Sequence, residues 1–581
     1  MKTRSRYISA TFGFPFILGL LLSILSVAHI PTRVLVGAFD RNAAPQFLLL
    51  CFIGLIASIY LLRRGRILIS GTAGYALLAL VGFALISLFL SDSFMTGLIG
   101  DTGRFSGIAS LFSFIAIALA ATFITGGELR DALLGLSVGM ILVTTLGFLQ
   151  IIEVVNLPTG GGVGSTLGNL DFLSAWIGTT LLLVILTFRE FSIRWQFSAT
   201  YLLLSVFVLW KIGAKQGFLD VIVVALFVGL YQIFLRIRMA EISIRAWKAI
   251  ATFLFLLWSE AIYLVPMAKI PFPGVSSDVN VSIRADFWYS ASHMFAQHLG
   301  FGVGPDNYGN YYEKFRSLQS VKATEFVLAN DAHSSMLQTF ATLGIFATLA
   351  FTLLILLVIY SAIDLYAATR NLRYLILLLA FFVFYTNALI SPIPLPNKAI
   401  FWLIAGFLIG ENMRQKVHAS NFFISIRAWM PASFISITLI LALALFAPPF
   451  MRLNSALAAN SAGEKVSYQP SASLPCIVYA NAQLKLVQKS GGDIKAATQL
   501  IERNHPRCIE SLSYLAQDYL SKKDYAAAKE YVYQLLDVAP ARQWVVRLAA
   551  IYAMGANDEY LKNILTSQGL KLGLLVQSQL K

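Results

Sequence analysis

Charge is the scarcest thing in this 581-residue chain: Asp, Glu, Lys and Arg together make up 13% of it, about half the share a soluble domain carries. A water-soluble fold of this length is thereby excluded, and the 57% of apolar residues puts the chain among integral membrane proteins. Cysteine is nearly absent, with three residues, which excludes a disulfide-built scaffold or a cysteine-built metal centre. The net charge of +15 points to no nucleic-acid partner, because the basic residues sit in short clusters between apolar runs and form no stripe. No metal-ligand spacing, nucleotide fingerprint or Ser/His/Asp arrangement stands out. The run Gly160–Gly164 lacks the Lys-Ser/Thr of a phosphate loop, so no cofactor and a metal-independent chemistry are expected.

What the chain has is a succession of apolar runs near the ~20 residues that cross a bilayer core. They are placed at 14–30, 44–62, 73–90, 108–124, 133–152, 172–188, 197–212, 218–235, 249–265, 336–360, 374–390, 400–409 and 434–446. The fold class expected is therefore all-α, a polytopic membrane domain over 1–450 with 12 or 13 spans. Lys2, Arg4 and Arg6 precede the first run as in a signal peptide, but no clean cleavage site follows, and an uncleaved span is expected. Arg63, Arg64 and Arg66, then Arg189 and Arg194, Arg370 and Arg373, and Arg414, Lys416 and Arg427 fall on the side of the N-terminus, which makes that side cytoplasmic. The loops 92–107, 156–169 and the long 269–335 then face outward from the cytoplasmic (inner) membrane. The twelfth run is short and follows Pro392, Pro394 and Pro396. Thirteen spans place the tail outside; a re-entrant twelfth segment leaves it inside.

Residues 451–581 lose the membrane hydropathy and take up helical periodicity of a soluble kind, with Tyr514, Leu515, Tyr519, Tyr525, Ala528, Tyr531, Leu535, Leu548 and Tyr552 at three- and four-residue spacing. An aromatic/Ala helical hairpin closed by Pro540 resembles a tetratricopeptide-type repeat, and neighbouring helices from Ala480 to Glu502 are expected to complete the domain. The domain reads equally as a packing cap or as a docking surface. Cys51 lies within a span as a small apolar residue, whereas Cys476 and Cys508 both fall in the tail and are a possible disulfide.

The long 269–335 loop carries the candidate chemistry. Arg284, Trp288 and Ala291 share one helical face, the run Gly302-Val303-Gly304-Pro305-Asp306-Asn307-Tyr308 reads as a tight turn, and Asp331-Ala332-His333 precedes the tenth span, with Gln338 and Gly344 following. This order resembles the O-antigen ligase and Wzy-type polymerase superfamily: Arg and Trp four residues apart, a glycine-rich turn ending in an aromatic, then a His opening a helix that ends in Gly344-Ile345. Leu98-Ile99-Gly100 with Arg104 and Gly107, Thr166-Leu167-Gly168-Asn169, and Lys215-Gln216-Gly217 extend the resemblance over about 98–410. Two positions depart from the family pattern: Ser334 stands where Asn usually follows the His, and Lys215 where Arg is usual. A Lys still neutralises phosphate as a point charge but loses the bidentate fork.

The resemblance implies an inverting glycosyltransferase that moves an oligosaccharide en bloc from a polyprenyl pyrophosphate to an acceptor hydroxyl on a glycan, lipid or protein at the outer face of the bilayer. The expected roles follow from the chemistry. Arg284, Lys215 and Arg104 would stabilise charge on the leaving pyrophosphate. His333 would take the acceptor proton, since imidazole titrates near operating pH. Each has a plainer role open to it: His333 as a helix cap, Arg284 as a snorkelling anchor, Arg104 as a surface charge and Lys215 as a flank. Trp288, His293 and His298 read as interfacial groups. The alternatives are a Wzy-type polymerase and, from another class, a transporter or flippase of lipid-linked glycans. A transporter predicts ionisable residues in mid-span; the spans read as nearly free of them, with Glu260 and Asp364 near ends.

Overall fold

The computed structural model describes residues 13–30, 40–157, 159, 162–236, 243–267, 279–323, 327–416, 423–476 and 478–572. Each apolar run of the sequence falls on one helix: Phe14–Val27, Ala43–Arg64, Gly71–Phe89, Ile108–Ala121, Leu129–Ile151, Leu170–Glu190, Trp195–Ile212, Lys215–Arg236, Ile244–Met267, Ser335–Thr369, Arg373–Ile390, Leu395–Lys416 and Trp429–Ser461. Among the described residues, eight helices are long and apolar enough to cross a membrane, by length and composition. The protein is an all-α polytopic membrane protein. A bilayer offers the backbone no hydrogen bonds, so each span must satisfy its own, and the helix does this.

Small residues set how closely the helices approach, as expected where hydrophobic burial cannot drive association. A Cβ added at Gly135 would stand 2.4 Å from the carbonyl oxygen of Phe16, and one at Gly406 would stand 2.0 Å from that of Ala118. Ser23 fastens the first of these crossings: its hydroxyl donates to Gly135 O at 2.7 Å and accepts from Gly139 N at 2.8 Å.

The short twelfth run becomes a helix of 22 residues, Leu395–Lys416. Its polar first turn, Leu395-Pro396-Asn397-Lys398, hides it from a hydropathy count. Pro396 sits where the backbone N–H has no helical partner, so it starts the helix without breaking it. A second difference is a two-stranded antiparallel sheet, Arg66–Ser70 against Phe423–Arg427 with Ile67 opposite Ile426, in segments that read as basic loops. A third is Asp220, five residues into the Lys215–Arg236 helix: it is 3% exposed and accepts from Asn387 Nδ2 at 2.9 Å. The spans are thus less free of ionisable residues than they read, although this carboxyl is tied to a neighbouring helix.

Beyond the membrane domain, six helices from Tyr479–Lys489 to Glu559–Leu572 pack each on the next. Asp493 and Asp524 cap two of them, accepting from Ala496 N at 3.0 Å and Ala527 N at 3.1 Å. A disulfide joins Cys476 to Cys508, their Cα atoms 5.8 Å apart. The core of this domain includes Val321, 1% exposed, from the short helix Leu318–Ala323 of the long loop. Further contacts bind the domain to other loops. His505 Nδ1 meets Ser93 Oγ at 2.8 Å, Tyr479 donates to Asp40 at 3.3 Å, and the Arg507 guanidinium lies 4.2 Å from the ring centre of Tyr311 while its Nε donates to Asn310 O at 3.2 Å. Of the two roles open to the tail, this face is occupied by the chain's own loop.

Candidate functional site

The site is set by two helices and the glycine turn between them. The Val279–Gln297 helix carries Arg284, and the Ser335–Thr369 helix begins two residues after His333. The second helix is broken at Gly344, at φ 75° and ψ −174°. Into the break comes the turn: Val303 N donates to Ala341 O and Gly304 N to Thr342 O, each at 3.0 Å, and Ile345 N donates to Leu299 O at 2.9 Å. The carbonyls freed by the break are thereby satisfied by another segment's backbone, as buried polar groups require. Trp288, expected at the membrane surface, is instead 2% exposed, edge-on to Tyr263.

His333 stands in the left-handed region at φ 52°. Asp331 holds it there, its Oδ1 accepting from His333 N at 2.6 Å. The imidazole lies 4.7 Å from the ring of Phe287, and its Nδ1 is 3.1 Å from the carbonyl oxygen of Asp331. A proton on Nδ1 turns that last contact into a hydrogen bond and leaves Nε2 with its lone pair. Ser334, the first departure from the family pattern, caps the helix: its hydroxyl accepts from Leu337 N at 3.3 Å and meets the Tyr263 hydroxyl at 2.6 Å. Ser and Asn are equivalent caps, so this exchange is conservative.

The loops around Arg104 and Asn169 converge on this imidazole. Arg284 Nη2 is 3.3 Å from Asp171 Oδ2. Asp171 is in the first turn of Leu170–Glu190, where its N–H donates to Asn169 Oδ1 at 2.8 Å, so the 166–169 motif positions the partner of Arg284. Arg104 lies 5.5 Å from the ring centre of Phe172, one residue on. Burial, then the charges of Arg104 and Arg284 opposed by Asp331, hold the imidazole down at about 4, against an ordinary value near 6.5. His333 is therefore neutral at physiological pH. The structure brings His333, Arg284 and Arg104 together; Lys215 opens the Lys215–Arg236 helix, and its side chain lies outside the described residues.

Three further residues belong to the same place. Asp306, in the glycine turn, accepts from Asp101 N at 2.7 Å and Ser106 N at 2.9 Å, which ties the turn to the 98–107 loop. Burial raises its carboxyl to about 6, and burial together with Asp306 raises Asp101 to about 8. Lys398 reaches in from the twelfth span: its Nζ donates to Ser106 Oγ at 2.7 Å, within electrostatic reach of Asp331, Asp306 and Arg104. The Asp two residues before His333 was a readable signal, because Asp-x-His fits a side chain bonding its own backbone two residues on. Lys398 had none, since it stands just before a short apolar run, where a lysine is a common flank.

Of the described residues, one group of three potential metal ligands lies close together, Cys476, Cys508 and Glu510. The two sulfurs are joined to each other and offer no thiolate. His293 is exposed and His298 half-buried.

Searching the curated proteins returned no match to this chain. Residues 171–352 match the family model described as O-Antigen ligase, a segment that holds Arg284 and His333, leaves out Arg104 and Lys398, and supports a likeness to the O-antigen ligase superfamily.

Proposed function

We propose that the chain transfers an oligosaccharide en bloc from a polyprenyl pyrophosphate to an acceptor hydroxyl at the outer face of the cytoplasmic membrane, with His333 as general base. The observation that carries this reading is a neutral imidazole beside two guanidiniums, held by loops from four parts of the chain. The acceptor oxygen attacks the anomeric carbon from the face opposite the phosphate, and the sugar–phosphate C–O bond breaks with its electron pair leaving on the pyrophosphate. Nε2 of His333 takes the acceptor proton. Arg284 and Arg104 face the charge that develops on the leaving group, and Lys215 heads a helix of the same region. Inversion follows from a single displacement. No step calls on a metal, and turnover is expected to persist in excess chelator; loss of turnover restored by a divalent ion overturns that part.

In a reconstituted assay with the lipid-linked donor, Arg284→Ala is expected to lower kcat/KM by about 10²-fold or more, the scale of removing one preorganised charge-stabilising donor. Arg284→Lys should recover a part, because the ammonium keeps the charge and loses the fork. Full activity in Arg284→Ala sinks the phosphate role.

Contacts of the tail with the loops at Asp40, Ser93 and Tyr311 support an extracytoplasmic tail on the side of the site. Cys476 and Cys508 then lie in an oxidising compartment. The bridge spans 32 residues. Its removal is expected to cost about 3–4 kcal/mol of tail stability by the chain-entropy relation. Labelling intact cells with a membrane-impermeant thiol reagent should modify both cysteines only after reduction. Labelling that needs the cells opened instead puts the tail in the cytoplasm.

A further inference from the structure

The tail bonds to the loops of the site at two places, and one covalent bond joins those places. Tyr479, the first residue of the Tyr479–Lys489 helix, donates its hydroxyl to Asp40 Oδ2 at 3.3 Å, and the same oxygen accepts from Gly103 N at 3.1 Å. Gly103 precedes Arg104, so the tail reaches the backbone of that guanidinium through one carboxylate. At the second place Arg507 lies over the ring of Tyr311 and donates from Nε to Asn310 O at 3.2 Å. Its Nη1 is 3.0 Å from Asp537 Oδ2, and Lys314 holds the other oxygen of that carboxylate at 2.7 Å. These bonds grip the Tyr308–Phe315 helix, which begins two residues after Asp306, the residue that ties the glycine turn to the 98–107 loop. His505 adds a bond to Ser93, the cap of the Phe94–Ile99 helix that leads into the same loop.

Cys476 stands three residues before Tyr479, and Cys508 follows Arg507 directly, so the disulfide fixes the spacing of the two contacts. Both cysteines, Tyr479 and His505 are buried. A donor taken from Asp40 is therefore not readily replaced by water, and its loss is felt by the other group on the same oxygen, Gly103 N. A tail that only capped the fold would need apolar contact alone, which Val321 in its core already supplies. Directional bonds from buried groups instead run to the two segments that set Arg104 and Asp306.

We propose that the tail is a positioning clamp for the transfer site, in which the Cys476–Cys508 bridge sets Tyr479 against Arg507 and His505 so that the 98–107 loop and the glycine turn keep Arg104 facing His333. The inference rests on the transfer reading above. It adds positioning residues that act through Asp40 and the Tyr308–Phe315 helix, and a dependence of turnover on an oxidised tail.

The test compares the full chain in lipid nanodiscs with three variants: Tyr479→Phe, the double variant Cys476→Ser/Cys508→Ser, and Asp524→Ala. The last removes a helix cap made within the tail, so it controls for tail stability alone. Hydrogen exchange over 98–107, and transfer from the lipid-linked donor as a function of pH, are measured on each. Tyr479→Phe and the double variant are expected to exchange the 98–107 amides about tenfold faster and to lower kcat/KM by about tenfold, less than the cost of a full 1 Å misplacement. The acid limb of kcat/KM should also move up from about 4, because a displaced Arg104 no longer opposes a charge on the imidazole, while Arg284 and Asp331 still face it. If the double variant fails to fold, Tyr479→Phe decides alone. Unchanged exchange, or faster exchange with kcat/KM and its acid limb unmoved, overturns the clamp, as does the same response in Asp524→Ala. A wild type that transfers nothing removes the transfer reading and leaves the exchange result to decide whether the tail holds the loop.

Discussion

His333→Ala is expected to lower glycan transfer by about 10²–10⁴-fold, the contribution of a positioned general base, with no change in the folded yield from the membrane. Folding should survive because His333 anchors little: its backbone N–H serves the Asp331 turn, which alanine keeps, and among the described aromatic side chains its ring leans on Phe287 alone. The same imidazole predicts a pH signature. In the free site it is held at about 4 by burial and by Arg104 and Arg284. A bound pyrophosphate brings negative charge to those guanidiniums, which must raise the imidazole toward its ordinary value. The acid limb of kcat/KM, which reports the free enzyme, is then expected below the acid limb of kcat, which reports the complex. Stability has its own sign: with a folded value below the unfolded one, the unfolded chain binds the extra proton, so His333 costs stability as pH falls through 6.5 toward 4. Coincident limbs, or an alanine variant that turns over at the wild-type rate, remove His333 as the base.

The membrane architecture was legible because lipid imposes one solution on an apolar run, and length with composition then finds each helix. Short-range signals also carried through: the glycine turn beginning at Gly302, the helix start after His333 and the helices of the tail. What could not be read was anything that depends on two distant segments sharing one place. The partner of Arg284 is Asp171, 113 residues earlier, and Asp306 ties itself to backbone 200 residues away. Lys398 illustrates the limit from another side. A lysine at the head of an apolar run reads as a topological flank, and only the packing of its helix against the 98–107 loop turns it toward the site. Trp288 failed for the same reason, since an aromatic near a membrane face reads as an anchor until a second helix covers it.

Gly344→Ala is expected to be the most damaging substitution outside the chemistry, although its side chain is a single methyl group. Two costs add. At φ 75° and ψ −174° the backbone lies where only glycine is at ease, a strain on the order of 1–3 kcal/mol for any other residue. The new Cβ would also stand 2.2 Å from the carbonyl oxygen of Gly300, and the backbone would have to move by an amount that overpacking studies place at about 1–3 kcal/mol. The segments that must move are the glycine turn and the helix break it fills, which between them fix Arg284 to His333. Activity should therefore fall further than stability does, since a shift of about 1 Å between a base and a charged clamp can cost about 10²-fold in rate. Gly82→Ala is the matched control: it lies in the Gly71–Phe89 helix with nothing within 4 Å of an added Cβ, and alanine there is expected to be neutral or mildly stabilising. Thermal unfolding in detergent followed by Trp fluorescence, together with the transfer assay, separates the two. If Gly344→Ala melts and turns over like Gly82→Ala, the glycine turn does not hold the catalytic residues in register.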